Sequence, residues 1–229
     1  MPGDPFFSWA APYIRPFLGD EVKKVLFIPF AAVTFSFDEY LAIVNDTFGV
    51  LKYSVRSVHT EHDLPQAVKD AEAIVIGGGN SFVLLNRLYQ NKLVDLIREK
   101  VLWGTPYLGW SAGVNAACPS IMTTNDMPVV HPPSLDALNL IPFQINPHYT
   151  DFKPPEHGGE TRRQRIEEFL ELNRHRNVVG LPEGMLLQRE ENSLTLHGDG
   201  IARLFQYGKS MQKINPGDDV NFLLNDLQL

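Results

Sequence analysis

Cysteine is almost missing from this chain: Cys118 stands alone among 229 residues. One thiol cannot form an internal disulfide, so no disulfide framework is possible and the chain suits a reducing compartment. Long apolar runs are also missing. No stretch approaches the ~18–20 residues of a membrane span, and the run from Val25 to Val33 is interrupted by Pro29. The opening MPGDPFFSWAAPYIRPF has no basic segment and an early Asp4, unlike a secretory leader. Positive charge is in deficit: 20 Lys and Arg face 27 Asp and Glu, a net charge of −7. These absences argue against nucleic acid and membrane as partners and make the cytoplasm the expected location. They also mean that a site for an anionic substrate must carry its own positive charge.

What is present alternates between strand and helix patterns. Lys23–Val33, Lys52–Val58, Glu72–Asn80 and Pro106–Trp110 read as strands; Phe37–Gly49, Asp63–Ala71 and Ser81–Val101 read as helices, the last one long and amphipathic. Such alternation predicts an α/β fold over residues 1–229 as one domain, with a mostly parallel sheet flanked by helices on both faces. After Cys118 come two Pro- and Gly-rich loops, Met122–Pro133 and Pro147–Glu160, around a short strand, PFQIN. Loops of that length in a compact domain are often functional, and these two are placed to close over a ligand. A helix follows, with Thr161 and Gln164 in capping-box spacing. The tail from Leu186 reads as β-hairpins turning at Glu190–Asn192 and Gly198–Gly200.

In parallel sheets, chemistry sits beyond the carboxyl ends of the strands. Two glycine turns fall there, GGGN (Gly77–Asn80) and GWSAG (Gly109–Gly113). The second is G-x-S-x-G, which places a nucleophilic serine on a sharp strand-to-helix turn; the plainer alternative makes Ser111 a helix cap. A serine needs a base. Among the seven histidines His148, in QINPHYT, also follows a short apolar strand. The carboxylate that orients it is Glu183, in GLPEGM, or Asp126, in TTNDMP. With Glu183 the order nucleophile–His–Glu matches class I glutamine amidotransferase-like (flavodoxin-like) folds, not the α/β-hydrolase order. GGGN fits neither a dinucleotide fingerprint nor a phosphate loop. As a turn it offers the N–H of Gly78 or Gly79 to an oxyanion, beside that of Ala112. HTEH (His59–His62) lacks zinc-protease spacing, so neither metal nor cofactor is expected. Two helical turns past Ser111, Cys118 reads as a core thiol.

Taken together, IPFA, DEY, IVIGGGN, GWSAG, ACP, TTNDMP, INPH, GETR and GLPEG, in that order from about Lys23 to Gln188, resemble the peptidase E family, the α-aspartyl dipeptidases. The resemblance implies a metal-independent Ser–His–Glu peptidase that cleaves small acidic dipeptides with an N-terminal aspartate. It makes Ser111 the nucleophile, His148 the base and Glu183 the orienting acid, with Gly78 or Gly79 and Ala112 as the oxyanion hole. It also sets Arg162, in GETR, on the substrate's aspartyl carboxylate, where otherwise Arg162 is a first-turn surface arginine. Asp126 then contacts the substrate amine or supports the catalytic residues from behind. Family members ordinarily begin with an apolar strand before a Pro-Gly stretch; this chain opens at MPGDPFF. The competing readings are a cyanophycinase-like hydrolase of aspartate–arginine polymers and a non-catalytic binding protein.

Overall fold

The computed structural model describes residues 7–153 and 158–225. The first six residues of the opening segment, and His157 in the second long loop, lie outside the described residues. Strand β1 (Lys24–Ile28) lies inside a parallel sheet ordered β2-β1-β3-β4, with β2 at Ser54–Ser57, β3 at Ile74–Ile76 and β4 at Tyr107–Gly109. Successive side chains of a strand point to opposite faces. Leu26, Ile28, Ile74 and Ile76 therefore build one core, and Val25, Phe27 and Val75 another. Two apolar faces need two covering layers. Helices α3 (Leu64–Lys69), α4 (Ser81–Gln90), α5 (Val94–Leu102) and α6 (Ala112–Ala117) cover the first; α1 (Ala11–Leu18) and α2 (Phe37–Val50) cover the second. Leu84, Leu85, Leu88 and Ile97 are completely buried, each contributing about 1.5–3 kcal/mol of hydrophobic stabilisation.

A second sheet runs β10-β9-β6-β5, from β5 (Gln144–Pro147), β6 (Asn177–Leu181), β9 (Ala202–Gln206) and β10 (Gln212–Ile214). Only β5 and β6 are parallel in it, with Pro147 opposite Leu181. Helix α7 (Arg162–Leu172) covers one face through Ile166 and Leu170. The hairpin of β7 (Met185–Glu190) and β8 (Ser193–Gly198) covers the other through Met185, Leu194 and Leu196. Between the sheets, α6 packs on both β4 and β5. Thr161 and Gln164 form the expected capping box at the start of α7. Among the described residues no helix is long and apolar enough to cross a membrane.

Four readings of the sequence need correction. The strand expected over Lys23–Val33 ends at Ile28. The long helix expected over Ser81–Val101 is two helices. Lys92 takes a left-handed φ of 57°, and the Leu93 N–H reaches back to Leu88 O at 2.9 Å, closing a helix-terminating motif without glycine. The apolar rhythm runs on because both helices bury into the same core. Gly198–Gly200 does not close a hairpin but carries the chain from β8 to β9 in the other sheet; the second hairpin is β9–β10. Finally, α1 went unread because Pro12 and Pro16 lie within it. Pro12 stands in the first turn, where N–H groups have no partner in any case, whereas Pro16 lies inside the helix and removes one of its backbone donors.

The one thiol sits where α6 meets β5. Cys118 is completely buried, and its Sγ accepts the Ile145 N–H at 3.3 Å. Burial pushes the thiol up to about 12, against a smaller opposing pull from that N–H. The thiolate fraction at neutral pH is then negligible, and the thiolate is the reactive form. A thiol reagent at pH 8 should leave the folded protein unlabelled and label one site per chain once urea unfolds it; fast labelling of the native protein would contradict this burial.

Candidate active site

The glycine turns owe their composition to close packing. A side chain at Gly113 would collide with the carbonyl oxygen of Ile76, and one at Gly109 would come within 2.7 Å of the Gly113 carbonyl. Helix α6 can thus start hard against the ends of β3 and β4 only with glycine at both places. Between them Ser111 adopts φ 52° and ψ −111°, and its side chain makes no capping hydrogen bond. That is a strained backbone for a non-glycine residue, costing on the order of 1–3 kcal/mol. A helix-capping serine would take an extended backbone and bond its own helix. The structure therefore has the sharp elbow and lacks the cap.

Gly78 lies beside it: a methyl group there would fall 2.9 Å from Ser111 Cβ. Gly79 has φ 134° and passes so close to Ala31 O that no side chain fits. Among the described residues neither the Gly79 N–H nor that of Ala112 is taken by a protein acceptor. Asn80 ends the turn by accepting the N–H groups of Phe82 and Val83 at 3.1 Å each, which starts α4.

The other half of the site comes from the second sheet. His148 follows β5 and Glu183 follows β6, its parallel neighbour, so the two emerge side by side. His148 Nδ1 is hydrogen-bonded to Glu183 Oε1. The pair is open to water, with side chains 43% and 80% exposed. An exposed pair of this kind contributes about 0–1 kcal/mol to stability, so its geometry has little to do with holding the fold. No hydrogen bond joins Ser111 to His148 among the described residues. Behind His148, Asp151 accepts from the Tyr149 hydroxyl at 2.8 Å and from Arg203 at 2.6 Å. Burial alone would raise the Asp151 carboxyl, but these partners outweigh it and hold it low. The tether is therefore in force at neutral pH and fades as the pH falls through that lowered titration.

Asp126 is engaged elsewhere. Its Oδ2 accepts from the Ser81 N–H and hydroxyl, both at 2.7 Å, and from the Thr124 hydroxyl at 3.0 Å. The carboxylate sits at the positive end of α4. The carboxylate hydrogen-bonded to the imidazole is thus that of Glu183, and Asp126 pins its loop to the helix that follows the glycine turn.

Arg162 opens α7 and is half-buried. Its Nη1 is buried with no hydrogen-bond partner among the described residues. Burial lowers its ionisation, Arg165 adds to that, and Glu183 pulls the other way, which places the guanidinium within electrostatic reach of the His148–Glu183 pair. A guanidinium is charged throughout the neutral range. A buried unpaired donor is costly in a finished structure.

Several residues that shape the site carried no signal of their own in the sequence. Asn115 Nδ2 donates to Ile145 O at 3.0 Å, and Asn125 Nδ2 donates to Pro147 O at 2.8 Å, one residue before His148. Asn146 Nδ2 donates to Thr123 O and Asn125 Oδ1, both at 2.9 Å, while its own Oδ1 is buried without a partner among the described residues. Asn125 and Asn146 sit inside TTNDMP and INPH, so the motifs contained them without revealing what they bond. No group of three or more His, Cys, Asp and Glu that could hold a metal ion occurs among the described residues.

Known proteins give this arrangement a context. Residues 1–197 match the model of peptidase family S51. A peptidase E of a Nostoc species is 49% identical over 222 residues, covering 97% of this chain and 92% of that protein. A peptidase E of Shewanella putrefaciens is 47% identical over 221 residues, covering 96% and 93%. Two solved structures share the fold. One, from Listeria monocytogenes and assigned provisionally to peptidase E, has TM-score 0.68 and 24% identity over 86% of this chain and 96% of its own. The other, a peptidase from an acI-B1 actinobacterium, has TM-score 0.68 and 18% identity over 93% and 91%. The chain belongs to peptidase family S51, and it is a serine peptidase.

Proposed function

We propose that this peptidase hydrolyses dipeptides with an N-terminal aspartate, and that Ser111, His148 and Glu183 carry the reaction. The observation that supports the substrate class is Arg162 Nη1, buried and without a partner among the described residues, within electrostatic reach of the His148–Glu183 pair. An arginine fork held without a protein carboxylate suits a substrate carboxylate, which it can grip bidentately. A neutral side chain in the same place would leave the charge unpaired, so the site discriminates by penalty as well as by attraction.

In this reading the Ser111 hydroxyl attacks the carbonyl carbon of the aspartyl residue while His148 Nε2 takes its proton. Glu183, on Nδ1, fixes the tautomer and stabilises the imidazolium. The tetrahedral oxyanion lies against the N–H of Ala112 and that of Gly78 or Gly79. On collapse the C–N bond breaks, and His148 returns its proton to the leaving amine. Water, deprotonated by His148, then attacks the aspartyl ester; the Ser111–carbonyl bond breaks, His148 returns that proton to Ser111 Oγ, and aspartate leaves. Asp126 supports the turn through Ser81.

The test compares hydrolysis of Asp-Leu by wild type and variants with the rate at which a small fluorophosphonate modifies the serine. Ser111→Ala should lower Asp-Leu turnover by at least about 10³-fold. Arg162→Ala should lower kcat/KM for Asp-Leu by about 10²-fold or more, while fluorophosphonate modification stays within about threefold. Equal losses in both assays would sink the carboxylate role. Glu183→Gln should cut kcat by about 10²–10⁴-fold, with a thermal midpoint close to wild type because the pair is exposed; a large drop in the midpoint would instead make Glu183 structural.

A further inference from the structure

The DEY stretch contains a residue that reaches both halves of the serine's surroundings. Tyr40 lies on α2, and its ring is buried against Phe27 and Phe35, with centroids 5.0 Å away in each case, and against Trp110 at 6.2 Å. Its hydroxyl is 2.9 Å from Trp110 Nε1 and 3.2 Å from Gly78 O. The proton order in this chain is forced. An indole N–H can only donate and a carbonyl oxygen can only accept. Tyr40 therefore accepts from Trp110 and spends its one proton on Gly78. Burial pushes the phenol up to about 12, so that proton stays in place across the working range.

Both contacts bear on the serine. Trp110 is the residue before Ser111, and Gly78 is the residue whose added methyl would sit 2.9 Å from Ser111 Cβ. Tying the Gly78 carbonyl to Tyr40 fixes the Gly78–Gly79 peptide plane. In a planar trans peptide the C=O and the following N–H point in opposite directions. The Gly79 N–H is thus held facing away from Tyr40. Gly77 completes the fit: a side chain there would fall 2.7 Å from the Tyr40 hydroxyl.

We infer that Tyr40 is a positioning residue for the oxyanion hole, holding the Gly79 N–H in register with Ser111 through the chain Trp110–Tyr40–Gly78. This rests on the reading of Ser111 as nucleophile. A donor held in advance stabilises charge that exists only in the transition state, so its loss appears in kcat rather than KM.

The experiment uses Tyr40→Phe, Trp110→Phe, the double variant and Ser111→Ala, with Asp-Leu as substrate. Two inhibitors report separately: free aspartate for the ground state and a boronic acid analogue of aspartate for the tetrahedral state. Tyr40→Phe should lower kcat about tenfold or more, below the roughly 10²–10³ cost of deleting a donor outright. KM and aspartate inhibition should stay within about threefold, and boronate affinity should fall by the same factor as kcat/KM. Trp110→Phe keeps an aromatic ring while removing the indole N–H and part of the ring volume, so it should show a smaller loss of the same pattern even if Tyr40→Phe folds poorly. The double variant should be no worse than Tyr40→Phe, because both act through one chain. An unchanged kcat in folded Tyr40→Phe, equal weakening of boronate and aspartate, or additive losses would overturn the inference. Full activity in Ser111→Ala would instead overturn the nucleophile on which it rests.

Discussion

Where β3 and β4 end, the backbone of α6 lies directly on the backbone of the sheet. Gly113 meets the Ile76 carbonyl and Gly109 meets Gly113, with no side chain between them. This contact sets how near the helix start can come to the sheet edge, and hence where the Ser111 elbow stands. Ser111 holds its left-handed φ because both flanks are fixed in this way. Its cost of about 1–3 kcal/mol is small beside the apolar burial under the elbow. There Ile74, Ile76, Leu84, Leu85 and Leu88 are completely buried. The strain is sustained by the core, and it turns a residue that could have capped a helix into one whose hydroxyl is uncommitted.

The site is then a problem of joining two sheets. Ser111 and the glycine turn belong to the first, His148 and Glu183 to the second, and β4 and β5 are not paired with one another. Polar bonds, buried or part-buried, span the gap. Asn115 on α6 bonds the Ile145 carbonyl, the Ile145 N–H bonds Cys118 Sγ, and Asn125 bonds the Pro147 carbonyl. Asn146 and Asp126 tie the same loop to β5 and to α4 respectively. Each bond is worth about 0.5–1.5 kcal/mol net, but leaving a buried partner unsatisfied costs about 1–3. Such a network resists sliding of one sheet against the other more than it adds to stability, and the distance between serine and histidine depends on that resistance.

This division explains what could be read from the sequence. Strand ends marked by glycine, or by a His or Glu after an apolar run, are local events, so Ser111, His148, Glu183 and the GGGN turn were all visible. The choice between Glu183 and Asp126 is not local: the sequence pattern leaves both open, the family resemblance favours Glu183, and the contact itself depends on β5 and β6 being parallel neighbours. The end of α4 was hidden because its left-handed residue is Lys92, where glycine is the usual sign. Tyr40 and the asparagines were hidden for a different reason. Their partners lie 21 to 70 residues away, and no pattern of spacing encodes a bond of that range.

Charge supplies the last constraint. The chain carries a net charge of −7, so any anionic ligand approaches against the mean field and only a local cation can reverse it. Arg162 is such a cation, and its position makes the reversal conditional. Were it fully exposed, water would screen it and the gain from a carboxylate would be small. Were it already paired within the protein, a substrate would have to displace that partner. Half-buried, with Nη1 lacking an acceptor among the described residues, it is already partly desolvated by the fold. A carboxylate that reaches it therefore gains nearly the whole of a charge-assisted bond. The nearby Glu183 supports the cation electrostatically, and its own hydrogen bond goes to His148. In this arrangement one exposed carboxylate holds the imidazole, and under the proposed function the arginine receives a second carboxylate, that of the substrate.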